Sequence, residues 1–529
     1  MCTTKRIPTN MRFFPLLLFT IVLFSCTTAQ KGLSPGNAVT YAYTLNLNEL
    51  EGGQLSVSLT LTGWEQPTAT FCFPKIVPGI YGDMDFGQYI SSVEAADADG
   101  NPLAIRQVDE NCWEISNAGE LRTITYRVDD VWEDFDFNLK EGFYRSAASS
   151  FKPESFVINT NCLFGYFEGF EDMSVQISIT KPEGLYGATS LERDRNKTTA
   201  GLDVFSVRDY HQLVDNPILY APADTAILEL PGIEVEVACH STSGQPISGE
   251  IAQYIRPLLE SQAAYLGGKL PVDRYTFLLY HNLNEKANAY IGDGLEHSRS
   301  TLILLYMPLD LEAIRQNVYG IASHEFFHTL MPLGLHSREI ADYDFNHPKF
   351  SKHLWLYEGM TEYFTMHMPI KTGLQSIEDF TREIERKIQG MKDFDNTIPL
   401  TELSIHAREM QDQFYNFYLR GALVNLCLDI RLRELSGGQY GVQNLVLDLI
   451  EKYGPGRPFE DEALFDEMVK ISGYPEIGAF IDNYIAGAEP LPLQVMLEKV
   501  GLTLEDGAVT EMADRTSEQE QLRRAWIGQ

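Results

Sequence analysis

Residues 323–330, SHEFFHTL, set two histidines four positions apart with a glutamate directly after the first. On a helix, four residues is just over one turn, so His324 and His328 project from one face and can share one zinc ion. Glu325 lies about 100° around the axis from His324, placed as a base beside the metal rather than as a ligand. A catalytic zinc takes three protein ligands and keeps one position for water, so the motif needs a third donor. A glycine three residues past His328 and a histidine six past it would supply one, but Met331 and Gly334 stand there. His336, in the predicted loop LGLHSRE, is a weaker candidate. The better one is in LWLYEGMTEYF, where Glu358 follows His328 by thirty residues and Glu362 lies one turn further on. Glu358 is expected as the third ligand and Glu362 as the carboxylate that orients a histidine. A solvated pair of glutamates would rarely be hemmed in by so many aromatics.

These residues need helices to carry them. Apolar spacing predicts helices over 313–333, 353–369, 376–392, 411–435 and 440–453, preceded by a helix in EIAQYIRPLLESQAAYLGG and strands in RYTFLLYH and STLILLYMP. Upstream the period is two: VTYAYTLNL, QLSVSLTLTGW, TITYRVDDVW and MSVQISIT alternate, with turn clusters between them. The expected class is multidomain α+β, an antiparallel β-sandwich over 38–240 and a mainly helical metallopeptidase domain with a small sheet over 241–488. Residues 489–529 are expected to give a short helix and a polar tail that is disordered or loosely helical.

The 529 residues are 44% apolar, enough for two packed cores. A formal net charge of -33 argues against nucleic-acid binding and against electrostatic docking on anionic lipid. Residues 1–26 read as a signal peptide, with Lys5, Arg6 and Arg12 ahead of FFPLLLFTIVLFSC. LFSC resembles a bacterial lipobox in which Cys26 is lipidated, and 27–37 would then be a tether. No later stretch is long and apolar enough to span a bilayer. Five cysteines remain beyond Cys26, without CxxC spacing, and sequence leaves their pairing open.

HEFFH followed by LWLYEGMTEYF resembles the gluzincin metallopeptidases, and specifically the glycyl aminopeptidase family, metallopeptidase family sixty-one. The resemblance extends to PKIVPGIYGDMDFGQYI (74–90), with Pro78, Gly79 and Tyr81 at its centre, and to LFGYFEG (163–169). It continues in GDGLEHSRST (292–301) and FYLRGALVNLCLDIRLR (417–433), and so spans most of residues 40 to 500. By this resemblance the fold is a β-sandwich followed by a thermolysin-like catalytic domain with one zinc ion. Glu296, in Gly294-Leu295-Glu296-His297, would anchor the substrate's free α-amine, with Gly294 beside it. Tyr418 would donate to the tetrahedral oxyanion, with Tyr415 one turn earlier as its rival. Glu168 is not expected to reach the site. Arg420 stands where the family usually has lysine, and the 40 residues after Glu489 are too few for the PDZ-like domain common in the family.

The expected activity is a zinc aminopeptidase acting on peptides, with glycine or alanine preferred at the N-terminus by the resemblance, tethered by lipid to the bacterial cell envelope. A zinc endopeptidase and a non-catalytic peptide-binding lipoprotein are the alternatives. Glu296 discriminates the first, and Glu325, for which a non-enzyme has no chemical use, argues against the second.

Overall fold

The computed structural model describes residues 39–132, 144–283 and 291–528. The leader, Cys26 and the tether lie outside them. No helix among the described residues is long and apolar enough to cross a membrane.

Alternation builds the first region. In Gln54–Thr62 every second residue turns inward, so Leu55, Val57, Leu59 and Leu61 are buried while the residues between them face outward. This strand lies in a seven-stranded sheet whose neighbours are Thr40–Asn46 and Thr123–Asp129. Two four-stranded sheets complete the region, one around Thr68–Cys72 and Cys112–Ser116, the other around Ser155–Ile158 and Ile218–Pro222. The seven-stranded sheet is not wholly antiparallel: Thr40–Asn46 pairs in parallel with Ser174–Thr180. Cys72 and Cys112 face each other on neighbouring strands and form a disulfide, while Cys162, Cys239 and Cys427 are buried free thiols.

The boundary expected at 240 falls earlier. β1 (Thr225–Leu230) and the start of β2 (Ile233–Ser241) alternate like the strands before them, but alternation does not say which sheet a strand joins. β2 pairs in parallel with β3 (Arg274–Leu283), and the five-stranded sheet β1-β2-β3-β5-β4 belongs to the catalytic half. β4 (Ile291–His297) lies antiparallel on β5 (Ser300–Met307) and forms the edge. α1 (Ser248–Tyr265) follows β2, and α2 (Leu311–Phe327) follows β5.

Three more α-helices, two of them preceded by π-helical turns, surround the site. The segment expected as one helix over 353–369 opens as a π-helical turn, Trp355–Met360, and continues as α3 (Thr361–Thr372). α4 is Ile377–Gly390. The helix expected over 411–435 breaks into short turns, a second π-helical turn at Phe417–Gly421, and α5 (Ala422–Leu435). The two π turns touch: a Cβ on Gly359 would lie 2.8 Å from the Gly421 Cα, so only glycine allows this approach.

The C-terminal stretch is folded, which corrects the expected polar tail. Leu502–Glu505 and Ala508–Glu511 form a hairpin whose turn, Asp506-Gly507, has positive φ at both residues. α6 (Ser517–Ile527) starts in a capping box between Thr516 and Gln519 and sinks Trp526 completely. Trp526 Nε1 donates to the Tyr363 hydroxyl at 2.9 Å, tying the C-terminus to α3.

Candidate active site

α2 begins at Asp310, whose side chain accepts from the Glu312 and Ala313 amides, and buries Ile314, Val318 and Phe326. Its last turn carries His324 and Glu325, and His328 closes it. The two imidazole rings lie 4.7 Å apart. The first π turn delivers Glu358, whose Oε2 is 3.4 Å from His324 Nε2 and 3.7 Å from His328 Nε2. Both Nδ1 atoms are already engaged: that of His324 with Glu362 Oε2 at 2.9 Å, that of His328 with the Met331 carbonyl at 3.1 Å. Each ring therefore turns Nε2 toward Glu358.

The donor set fits a zinc ion. His324 Nε2 and Glu358 Oε2 are buried and lack a hydrogen-bond partner. Donors about 2.1 Å from a tetrahedral ion stand roughly 3.4 Å apart, close to the separations found here. Two imidazoles and one carboxylate are also the ligand chemistry of catalytic zinc.

A second layer holds the ligands. Glu362 Oε1 accepts from Lys387 Nζ at 2.6 Å, and the same ammonium donates to the Tyr418 carbonyl at 3.0 Å. Burial opposes a charged Glu362, but Lys387 and the bond to His324 outweigh it and hold its carboxyl well below the ordinary range. Lys387 is 1% exposed. In the sequence it reads as one charge among many on an amphipathic helix, and nothing there marks it as buried. Replacing Lys387 by Met strands the Glu362 carboxylate, and a broken buried pair of this kind costs about 3–5 kcal/mol. A shift of that size in the urea unfolding of the metal-free protein is the expected result.

The remaining site residues converge from three directions. Glu325 is 8% exposed; burial and the Glu296 and Glu358 carboxylates push its own carboxyl well above the ordinary range, against the pull of His324. Glu296 comes from edge strand β4, is also 8% exposed, and brings a carboxylate oxygen within 4.8 Å of both the His328 nitrogen and a Glu325 oxygen. Gly294 lines the same wall, where a Cβ would lie 2.7 Å from Glu325 Oε1. Tyr418, on the second π turn, packs its ring 5.3 Å from that of His324 at a tilt of 30°, and burial together with the Glu358 carboxylate pushes its hydroxyl's pKa well up. Tyr415 is 53% exposed and lines the outer part of the cleft, its ring stacked 5.4 Å from that of Tyr418. These groups line a cleft of 1250 Å³.

His336 is elsewhere, its Nδ1 bonded to the Pro332 carbonyl at 2.8 Å. Arg420 donates to the Ile398 carbonyl at 2.6 Å, and burial lowers its pKa to about 10. Glu168 is exposed and does not line the cleft. Two residues that the sequence did not assign also reach the site: Tyr144 lines the cleft, and Tyr81 donates its hydroxyl to Glu358 Oε1 at 3.1 Å.

Comparison with known proteins agrees with this geometry. The model of the peptidase M61 N-terminal domain matches residues 42–222, ending where the first region ends. That of the M61 glycyl aminopeptidase matches residues 317–424, from α2 through both π turns. The two together cover more than half of the chain. The chain belongs to the M61 peptidase family. It is accordingly an enzyme, a zinc metallopeptidase. Among solved structures, the M61 chain is similar to an aminopeptidase N family protein from Idiomarina loihiensis, at 21% identity and a TM-score of 0.74, covering 90% of this chain and 82% of that one. It is also similar to an M1 zinc metallopeptidase from Deinococcus radiodurans, determined as a mutant with a Tyr-Ser-Ala substrate, at 15% identity and a TM-score of 0.51, covering 86% and 96%. Both likenesses show a shared two-part fold. No curated protein matches the chain in sequence.

Proposed function

We propose that this M61 peptidase is a zinc aminopeptidase that removes a small N-terminal residue, glycine or alanine, from peptides. The observation that carries it is Glu296: a buried carboxylate within 4.8 Å of a ring nitrogen of His328 and of a Glu325 carboxylate oxygen. A substrate ammonium bound there presents its first peptide bond, and no later one, to the metal site.

His324, His328 and Glu358 would hold the zinc, which when bound acidifies water and polarises the scissile carbonyl. Glu325 takes a proton from the attacking water and passes it to the leaving amine. Tyr418 donates its hydroxyl hydrogen to the oxyanion that develops on the carbonyl oxygen. Glu362 and Lys387 keep the His324 imidazole in the tautomer and orientation that leave Nε2 free. The preference for glycine or alanine draws on the family's description, and on the backbone of Gly79 pressing directly on Glu296, which leaves little width beside the anchor.

Export and lipid attachment at Cys26, in the bacterial envelope, complete the proposal. The charged and apolar pattern of residues 1–26 supports it, and so does the Cys72–Cys112 disulfide, which persists in oxidising compartments.

Glu296→Ala tests the anchor. Hydrolysis of alanyl p-nitroanilide should lose roughly 10–100-fold in kcat/KM, the worth of a charge-assisted hydrogen bond. Cleavage of N-acetylated peptides should hold at its low wild-type level. Equal losses on free and blocked substrates would favour an endopeptidase.

A further inference from the structure

The N-terminal region sends one loop, residues 74–86, across the catalytic cleft. The loop is closed on itself, with the Met84 and Asp85 amides both donating to the Lys75 carbonyl at 2.8 and 3.0 Å. It is fastened to the catalytic half by the segment 408–414. Gln411 Nε2 donates to the Tyr81 carbonyl at 2.6 Å, and Arg408 binds Asp83 Oδ2 at 2.5 Å. The Tyr81 ring packs 5.0 Å from that of Phe414.

Two residues at the tip of this loop touch the chemistry. The Tyr81 hydroxyl, on a residue 5% exposed, donates to Glu358 Oε1 at 3.1 Å. Glu358 Oε2 is the oxygen that faces the two histidines. With Oε1 held by Tyr81, only one oxygen is left for a metal, and its direction is fixed. Two residues earlier, Gly79 has φ +84, and a Cβ there would lie 2.7 and 2.8 Å from the two Glu296 oxygens. The amine-anchoring carboxylate therefore rests against bare backbone, and no other residue type leaves it that place.

We propose that loop 74–86 positions both halves of the site at once: Tyr81 sets the orientation of the metal ligand Glu358, and Gly79 sets the position of the amine anchor Glu296. The N-terminal region is then part of the active site, and neither residue is itself catalytic, since each acts through the carboxylate it touches. The Glu296 half rests on the aminopeptidase reading; the Glu358 half rests only on zinc binding.

The two halves separate experimentally. Tyr81→Phe keeps the ring and its packing on Phe414 and deletes only the donor. The variant's purified zinc enzyme should lose its metal to a chromophoric chelator about 10–100-fold more readily than wild type, the usual cost of removing a group that orients a ligand. Its KM for alanyl p-nitroanilide should stay within about twofold. Gly79→Ala should do the reverse, raising KM at least about tenfold with zinc retention unchanged. A general loosening of the fold would move both readouts together in both variants. Wild-type zinc retention in Tyr81→Phe, or wild-type KM in Gly79→Ala, overturns the proposal. The zinc readout does not depend on which end of a peptide is cut. Failure of the aminopeptidase reading would show separately, as equal turnover of free and N-acetylated substrates by wild type, and would overturn the Gly79 half.

Discussion

Glu325→Gln lowers kcat by roughly 10²–10⁴-fold, the range attributed to a positioned general base, while the protein keeps its zinc and its fold. The amide has nearly the carboxylate's shape, so the wall formed with Gly294 is undisturbed, but it cannot take a proton from water. Glu325 is not among His324, His328 and Glu358, the three groups whose donor atoms converge as zinc ligands, so metal content should not change. Steady-state hydrolysis of alanyl p-nitroanilide, with zinc measured by mass spectrometry on the same sample, checks both halves. A drop in zinc together with activity would make Glu325 a ligand and overturn its assigned place.

Glu358→Ala has the opposite signature. It removes one of three donors, and zinc affinity should fall by more than the 10–100-fold typical of losing an outer partner, about 10²-fold or beyond. Gel-filtered protein should then carry no stoichiometric zinc, and activity should return only with excess metal, if at all. The change also leaves the buried Tyr81 hydroxyl without its acceptor, a cost of about 1–3 kcal/mol. Chelator competition followed by metal analysis gives the answer. Stoichiometric zinc in this variant would mean that Glu296, which groups with Glu325 and His328, or another carboxylate supplies the third ligand.

Much of this centre was legible in the sequence, for a simple reason. His324, Glu325 and His328 are fixed relative to one another by helical geometry alone, and Glu358 and Glu362 by the same rule on a second helix. What sequence spacing could not convey is how the two helices meet. The π turns that carry Glu358 and Tyr418 depend on Gly359 lying against Gly421, a contact across more than sixty residues of sequence. Lys387 and Tyr81 are hidden for the same reason: each becomes important only through tertiary contact, with Glu362 and with Glu358.

Other local signals in the sequence also specify structure. Asp506-Gly507 between two alternating runs is a strong hairpin signal, and Thr516 with Gln519 three residues later is a helix start; together they account for the ordered C-terminus. The strands at 225–241 were recognisable as strands, but their partner, β3, lies beyond α1, and periodicity is silent about partners.

The most direct test of the central claim uses purified wild-type protein and two substrates. Zinc is quantified by mass spectrometry, and the sample is then assayed on alanyl p-nitroanilide and on its N-acetylated form, before and after chelation. One zinc per chain, cleavage of the free-amine substrate far above that of its acetylated form, and loss of that cleavage with the metal are predicted. Protein without stoichiometric zinc, or cleavage that ignores the acetyl group, would contradict a zinc aminopeptidase.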